Sequence, residues 1–200
     1  MTIGANLTAL GVREARANLR AVIEQVGDGT PVAVMAHSQA VAVILRFDEA
    51  ERWQRIESNL ASLHGLELYP ELARDPTELA ALLRGEIPPG EEALRRLTRR
   101  RREILNSAPF VGLADVRLKF ARLLERAANG RPVTIVSYGH PRAVLISYRE
   151  YRRLIRLGRM ARWFASAGLD LASAEVDVPR WLADFRERRD IAAADEAAGA

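Results

Sequence analysis

Three histidines, His37, His64 and His140, are the side chains best fitted to hold a metal or move a proton near neutral pH. None stands at ligand spacing from a carboxylate, as in an HExxH pair. The chain has no cysteine, which removes thiolate ligands, a cysteine nucleophile and disulfides together. No serine occupies the strand-turn-helix setting of a nucleophile elbow. Gly112 and Gly139 are isolated and do not form a phosphate-cradling loop. Glu24 and Glu125 recur at equivalent places in a repeat described below, where helix-surface charge accounts for them. The expectation is a protein that is not an enzyme and takes no cofactor and no metal.

Arginine is the chemistry that remains. Lys and Arg number 30 against 26 Asp and Glu, a formal net charge of +4, and Lys119 is the single lysine. The planar guanidinium donates two parallel hydrogen bonds to phosphate or carboxylate, so a nucleic acid or an acidic partner suits such a surface. The densest run, Arg99–Arg102 with Arg95 and Arg96, falls on a candidate helix from Glu91 to Leu105. Both a nucleic-acid contact and a solvated helix face fit it. The 200 residues, 48% hydrophobic and 28% charged, have the balance of a folded chain of one ordinary domain or two small ones. No apolar run approaches the roughly 18–20 residues that span a bilayer, and the N-terminus lacks the order of a signal peptide. No membrane association and a cytoplasmic location are expected.

The elements that position these side chains come as a repeat. Residues 10–50 align without a gap on 111–151, displaced by 101 positions, with identities at Gly11/Gly112, Arg16/Arg117, Gly29/Gly130, Pro31/Pro132 and Ala42-Val43/Ala143-Val144. Ala15, Leu19, Val22, Ile23 and Val26 mark one face of a helix, and Val116, Phe120, Leu123, Leu124 and Ala127 mark the same face one repeat later. Asp28-Gly29 and Asn129-Gly130 supply the stop, and Pro31 and Pro132 bar continuation. Short apolar stretches then predict a hairpin in each copy: Val32–His37 and Val41–Leu45 about a turn at Ser38-Gln39, then Val133–Tyr138 and Ala143–Ile146 about Gly139-His140. A second helix starts near Asp48 and near Tyr148, and a short strand precedes each unit at Leu7–Leu10 and Pro109–Val111. The duplication continues into tails, where Gly65–Leu68 is similar to Gly168–Leu171.

These units resemble the Phd/YefM (prevent-host-death) antitoxins of bacterial type II toxin–antitoxin systems. The resemblance lies in Val12–Leu19, Asp28–Val32 and Ala40–Leu45, and again in Asp115–Arg117, Asn129–Ile135 and Gly139–Leu145. It implies an α+β head that dimerises through its sheet, binds operator DNA, and carries a tail that blocks a cognate toxin. Carried over by position, it marks Arg13, Arg16 and Asn18 in the first copy and Arg117 and Lys119 in the second as DNA-binding, with Arg142 beyond the second turn. Family members often carry two arginines before the turn glycine; here those places read Ala36-His37-Ser38 and Ser137-Tyr138-Gly139. That departure favours an alternative reading, a duplicated protein-interaction module without DNA binding.

The tails hold the expected toxin-binding residues: Leu68, Tyr69, Leu72, Leu79 and Leu82 in the first, and Leu169, Leu171, Trp181, Leu182 and Phe185 in the second. Large apolar side chains at such spacing suit a partner's groove, and packing on their own head explains them equally well. The expected order is a first head at 1–63, a first tail and basic linker at 64–109, a second head at 110–166 and a C-terminal tail at 167–200. A head of about 45 residues is too small to bury a sufficient core alone. The two heads are therefore expected to pair within one chain as a pseudo-twofold unit with a continuous sheet, with further dimerisation left open.

Overall fold

A computed structural model describes residues 7–64 and 108–187, apart from 167, 174, 175, 178, 179, 182, 185 and 186. The periodicity predicted for the first helix is met: Ala15, Leu19, Val22 and Val26 are buried, as are Val116, Phe120, Leu123, Leu124 and Ala127. Each helix is, however, two pieces. The first copy has α1 (Val12–Ala17) and α2 (Leu19–Gly27), the second α4 (Leu113–Leu118) and α5 (Phe120–Ala128). They bend at Asn18 (φ −103°, ψ 24°) and at Lys119 (φ −102°, ψ 19°). Asn and Lys differ in helix propensity, so the shared kink comes from packing, which keeps Ala15 and Leu19, or Val116 and Phe120, on one buried face.

Both helices end in the same hydrogen-bonded stop. Gly130 N donates to Ala127 O (2.9 Å) and Arg131 N to Arg126 O (3.1 Å), while Gly29 N and Thr30 N make the same pair of bonds in the first copy. The glycines take the left-handed conformation this requires, φ 90° at Gly29 and 75° at Gly130.

The strands are β1 (Thr8–Gly11), β2 (Val32–Ala36) and β3 (Gln39–Arg46), then β4 (Phe110–Gly112), β5 (Val133–Ser137) and β6 (His140–Ser147). The turns fall one residue earlier than the sequence predicts. His37 and Ser38 (φ 49° and 63°) and Tyr138 and Gly139 (φ 50° and 78°) are the central pairs, with positive φ at both places, as two-residue hairpins favour. The displaced residue is taken up further along, where the register slips between Val34 and Met35 and between Ile135 and Val136. Val41 and Arg142 are the extra residues of the two bulges.

The two heads form one sheet of order β1-β2-β3-β6-β5-β4. Its centre is the antiparallel β3–β6 pair, in which Ile44 stands opposite Leu145. These two are equivalent residues of the repeat, so a pseudo-twofold axis passes between them. The intrachain pairing expected from the short heads is the observed architecture, and the class is α+β. One face of the sheet, with Val34, Ala42 and Ile44 beside Ile135, Ala143 and Leu145, shares a single core with both helix pairs. On the other face Ala33, Val43, Leu45, Thr134, Val144 and Ile146 are buried. Beyond β3 and β6 run α3 (Phe47–His64) and α6 (Tyr148–Ser166), whose early turns bring in the buried Ala50, Trp53, Tyr151 and Leu154.

Glu49 lies at the start of α3. Burial pushes its carboxyl above the ordinary value of 4.5, offset in part by a hydrogen bond from Trp53 and by the charge of Arg46. The folded chain thus holds that proton more tightly than the unfolded chain, and stability falls as pH rises from 4.5 through the raised value. Glu49→Gln is expected to melt at a higher temperature than the parent at pH 7. The difference should close below pH 4.5, and thermal unfolding across that range measures it.

Among the described residues one compact unit holds 7–54 and 108–158, and a second holds 55–64 and 159–187. In the second, Asn59 Nδ2 donates to Leu171 O (2.9 Å), Arg55 Nε donates to Ala172 O (3.2 Å), and Phe164 meets Trp181 edge-to-face at 5.8 Å.

Candidate functional site

The sheet pairing decides where the first-helix arginines go. Equivalent residues are brought towards the axis, and Arg16 Nε donates to the carbonyl of Arg117 at 3.0 Å, joining α1 to α4. Both side chains are exposed, as is Arg13. Asn18 and Lys119 occupy the kinks, and Lys119 Nζ pairs with Asp115 at 3.0 Å. This exposed (i, i+4) pair contributes little to stability. Arg13, Arg16, Asn18, Arg117 and Lys119 therefore belong to one helical layer on one side of the sheet, with the two arginine positions of the repeat adjacent at its centre.

Arg142 lies elsewhere. As the extra residue of the bulge it is re-aimed out of the ladder, and it lines a cleft of about 600 Å³ between the second hairpin and α2. Arg20 and Arg46 share that cleft, but Arg20 Nε is bound to Glu24 (3.1 Å) and Arg46 to Asp48. Tyr138, at the turn, is 88% exposed. Sequence reasoning missed Arg20 and Arg46. Comparing charges at equivalent positions carries the signal, since their counterparts are Ala121 and Ser147.

Of the expected toxin-binding residues, Leu68, Tyr69, Leu72, Leu79, Leu82, Leu182 and Phe185 lie outside the described residues. Leu169, Leu171 and Trp181 are described and are buried, at 5%, 0% and 6% exposure. As packed they offer a partner almost no area, and they stabilise the second unit instead. Among the described residues no group of three or more His, Cys, Asp or Glu could hold a metal, and no helix is long and apolar enough to cross a membrane.

Two copies of one head, joined across one sheet with both helix pairs on the same side, define a duplicated module of the α+β class. The family model for antitoxin Phd_YefM of type II toxin–antitoxin systems matches residues 8–68 and again 110–177. The chain belongs to that family, as a tandem duplication. No curated protein and no solved structure matches it.

Proposed function

We propose that the chain is a cytoplasmic antitoxin that neutralises a toxin protein by direct binding through its tails and binds operator DNA through its paired heads, repressing its own operon. The observation that carries the reading is the family match on both halves of a chain whose equivalent arginines, Arg16 and Arg117, meet at the pseudo-twofold axis. Arg13, Arg16, Asn18, Arg117 and Lys119 form the DNA-facing layer, and Arg142 adds a separate contact from the second hairpin. They act mainly on phosphates, which position a duplex without reading its sequence. Toxin contact falls to Leu68, Tyr69, Leu72, Leu79, Leu82, Leu182 and Phe185.

A gel-shift titration on the region upstream of its own gene tests the DNA half. Affinity is expected to fall steeply with salt as phosphate neutralisation releases counterions. Arg16→Ala with Arg117→Ala should weaken binding on every duplex and reduce the salt slope by about 2. Unchanged affinity in the double variant removes these residues from the interface. A second reading, an interaction module without DNA binding, is favoured by the turns Ala36-His37-Ser38 and Ser137-Tyr138-Gly139, which lack arginine. Absence of any shift at low salt selects it.

A further inference from the structure

The two heads share a backbone but not a charge. Over α1 and α2 to the stop, residues 12–30, Arg13, Arg16 and Arg20 are balanced by Glu14, Glu24 and Asp28. Over the equivalent residues 113–131, the five cations Arg117, Lys119, Arg122, Arg126 and Arg131 face only Asp115 and Glu125, a net charge of +3 against zero.

The surplus is collected in one place. Lys119, Arg122, Arg126 and Arg131 line a cleft of about 730 Å³ bounded by β4, α4 and α5, where Asp115 and Glu125 offset two of the four charges. Their counterparts in the first head are Asn18, Ala21, Gln25 and Thr30. Gln25 Nε2 donates to Thr8 Oγ1 at 2.7 Å, tying α2 to β1. In the second head Pro109 replaces Thr8 and Arg126 replaces Gln25, which removes that tie. The Arg126 Nε is buried with no hydrogen-bond partner among the described residues. An unmet buried donor of a charged group is costly, so an anion in the cleft that drew the Arg126 guanidinium outward would relieve it. Phe110, on the rim, is 64% exposed where the first head has Ala9.

We propose that the fused pair binds a non-palindromic duplex seated chiefly on the second head, with Lys119, Arg122, Arg126 and Arg131 taking backbone phosphates that have no counterpart on the first head. This rests on the operator-binding reading. A homodimer presents identical halves and so matches a palindrome. One chain carrying two unlike heads is released from that constraint, and a duplex is the polyanion long enough to meet both the helical layer at the axis and this outer cleft.

The test uses the full chain and a duplex from upstream of its own gene, divided by footprinting into the half under the second head and the half under the first. One variant installs first-head residues in the second head: Lys119→Asn, Arg122→Ala, Arg126→Gln and Arg131→Thr. The first head folds with those residues, so the backbone tolerates them; a triple variant keeping Arg126 guards against local unfolding. The converse variant is Arg13→Ala with Arg20→Ala. The second-head variants should lose about tenfold or more in affinity at 0.15 M salt, with the salt slope reduced by about 3. The first-head variant, which removes the single layer contact of Arg13, should lose only about threefold, with the salt slope reduced by about 1. A palindrome built from the half under the first head should bind more weakly than one built from the other half. Equal losses from the two variants, or equal binding of the two palindromes, overturn the proposal. Second-head variants that keep duplex affinity but lose a co-purifying toxin assign the cleft to an acidic protein surface and also overturn it. No binding of any duplex by the unaltered chain overturns the operator reading itself.

Discussion

Ile44→Ala or Leu145→Ala is expected to destabilise both heads together, by about 2–5 kcal/mol each. The two residues face each other at the centre of the β3–β6 pair and are at most 1% exposed. They also belong to the one core that the helix pairs of both copies share. Truncating either removes transfer energy and leaves a cavity at the seam. The loss is a large fraction of the roughly 5–15 kcal/mol by which domains are stable. Because the residues are in contact, the double variant should depart from additivity. Hydrogen exchange makes the cooperativity visible: amides of β2 and β5, on opposite sides of the central β3–β6 pair, should lose protection together in either single variant. Protection lost in the altered copy alone would show two independently stable heads.

Trp181→Ala is expected to separate the two proposed activities. Trp181 is buried, and its ring meets that of Phe164 at an interplanar angle of 69°. Both residues lie in the unit that holds 159–187, while Arg16, Arg117 and the sheet lie in the other. Removing a buried Trp costs about 3–5 kcal/mol, and the edge-to-face pair adds about 0.5–1.5 kcal/mol. The second unit should loosen, and toxin neutralisation in co-expression should drop sharply. Duplex affinity should stay within about twofold of the parent, since no phosphate contact is removed. Phe164→Leu, which keeps apolar volume without the ring pair, should fall between parent and Trp181→Ala. Parent-level growth rescue by Trp181→Ala would detach neutralisation from this unit.

Much of the fold was legible because two copies of one pattern constrain each other. The helical period at Ala15, Leu19, Val22 and Val26 recurs at Val116, Phe120, Leu123 and Ala127, and a chance pattern does not repeat at a fixed offset of 101. Pairing of the heads followed from size, since a head of about 45 residues needs a partner to close its core. The bulges at Val41 and Arg142 were not legible. An extra residue in a hairpin leaves composition and alternation almost unchanged, yet it moves the turn by one and turns Arg142 out of the ladder. The kinks at Asn18 and Lys119 were hidden for a related reason, since they answer to packing against the sheet. In the tails, an apolar series such as Leu169, Leu171 and Trp181 looks the same whether it is to meet a partner or its own chain. Only coordinates distinguish the two, and these three are turned inward.

If the proposed function holds, one duplicated chain, with both heads on one polypeptide, neutralises a toxin without pairing to a second antitoxin chain. Co-expression with the product of the neighbouring reading frame as candidate toxin, read as colony growth and followed by the mass of the purified complex, is the decisive measurement. Growth should be restored by the full chain, in a complex whose antitoxin part contains both heads of the same polypeptide joined through β3 and β6. A toxin that stays lethal beside well-folded full-length chain, or rescue that requires β3 of one chain to pair with β6 of another, would contradict it.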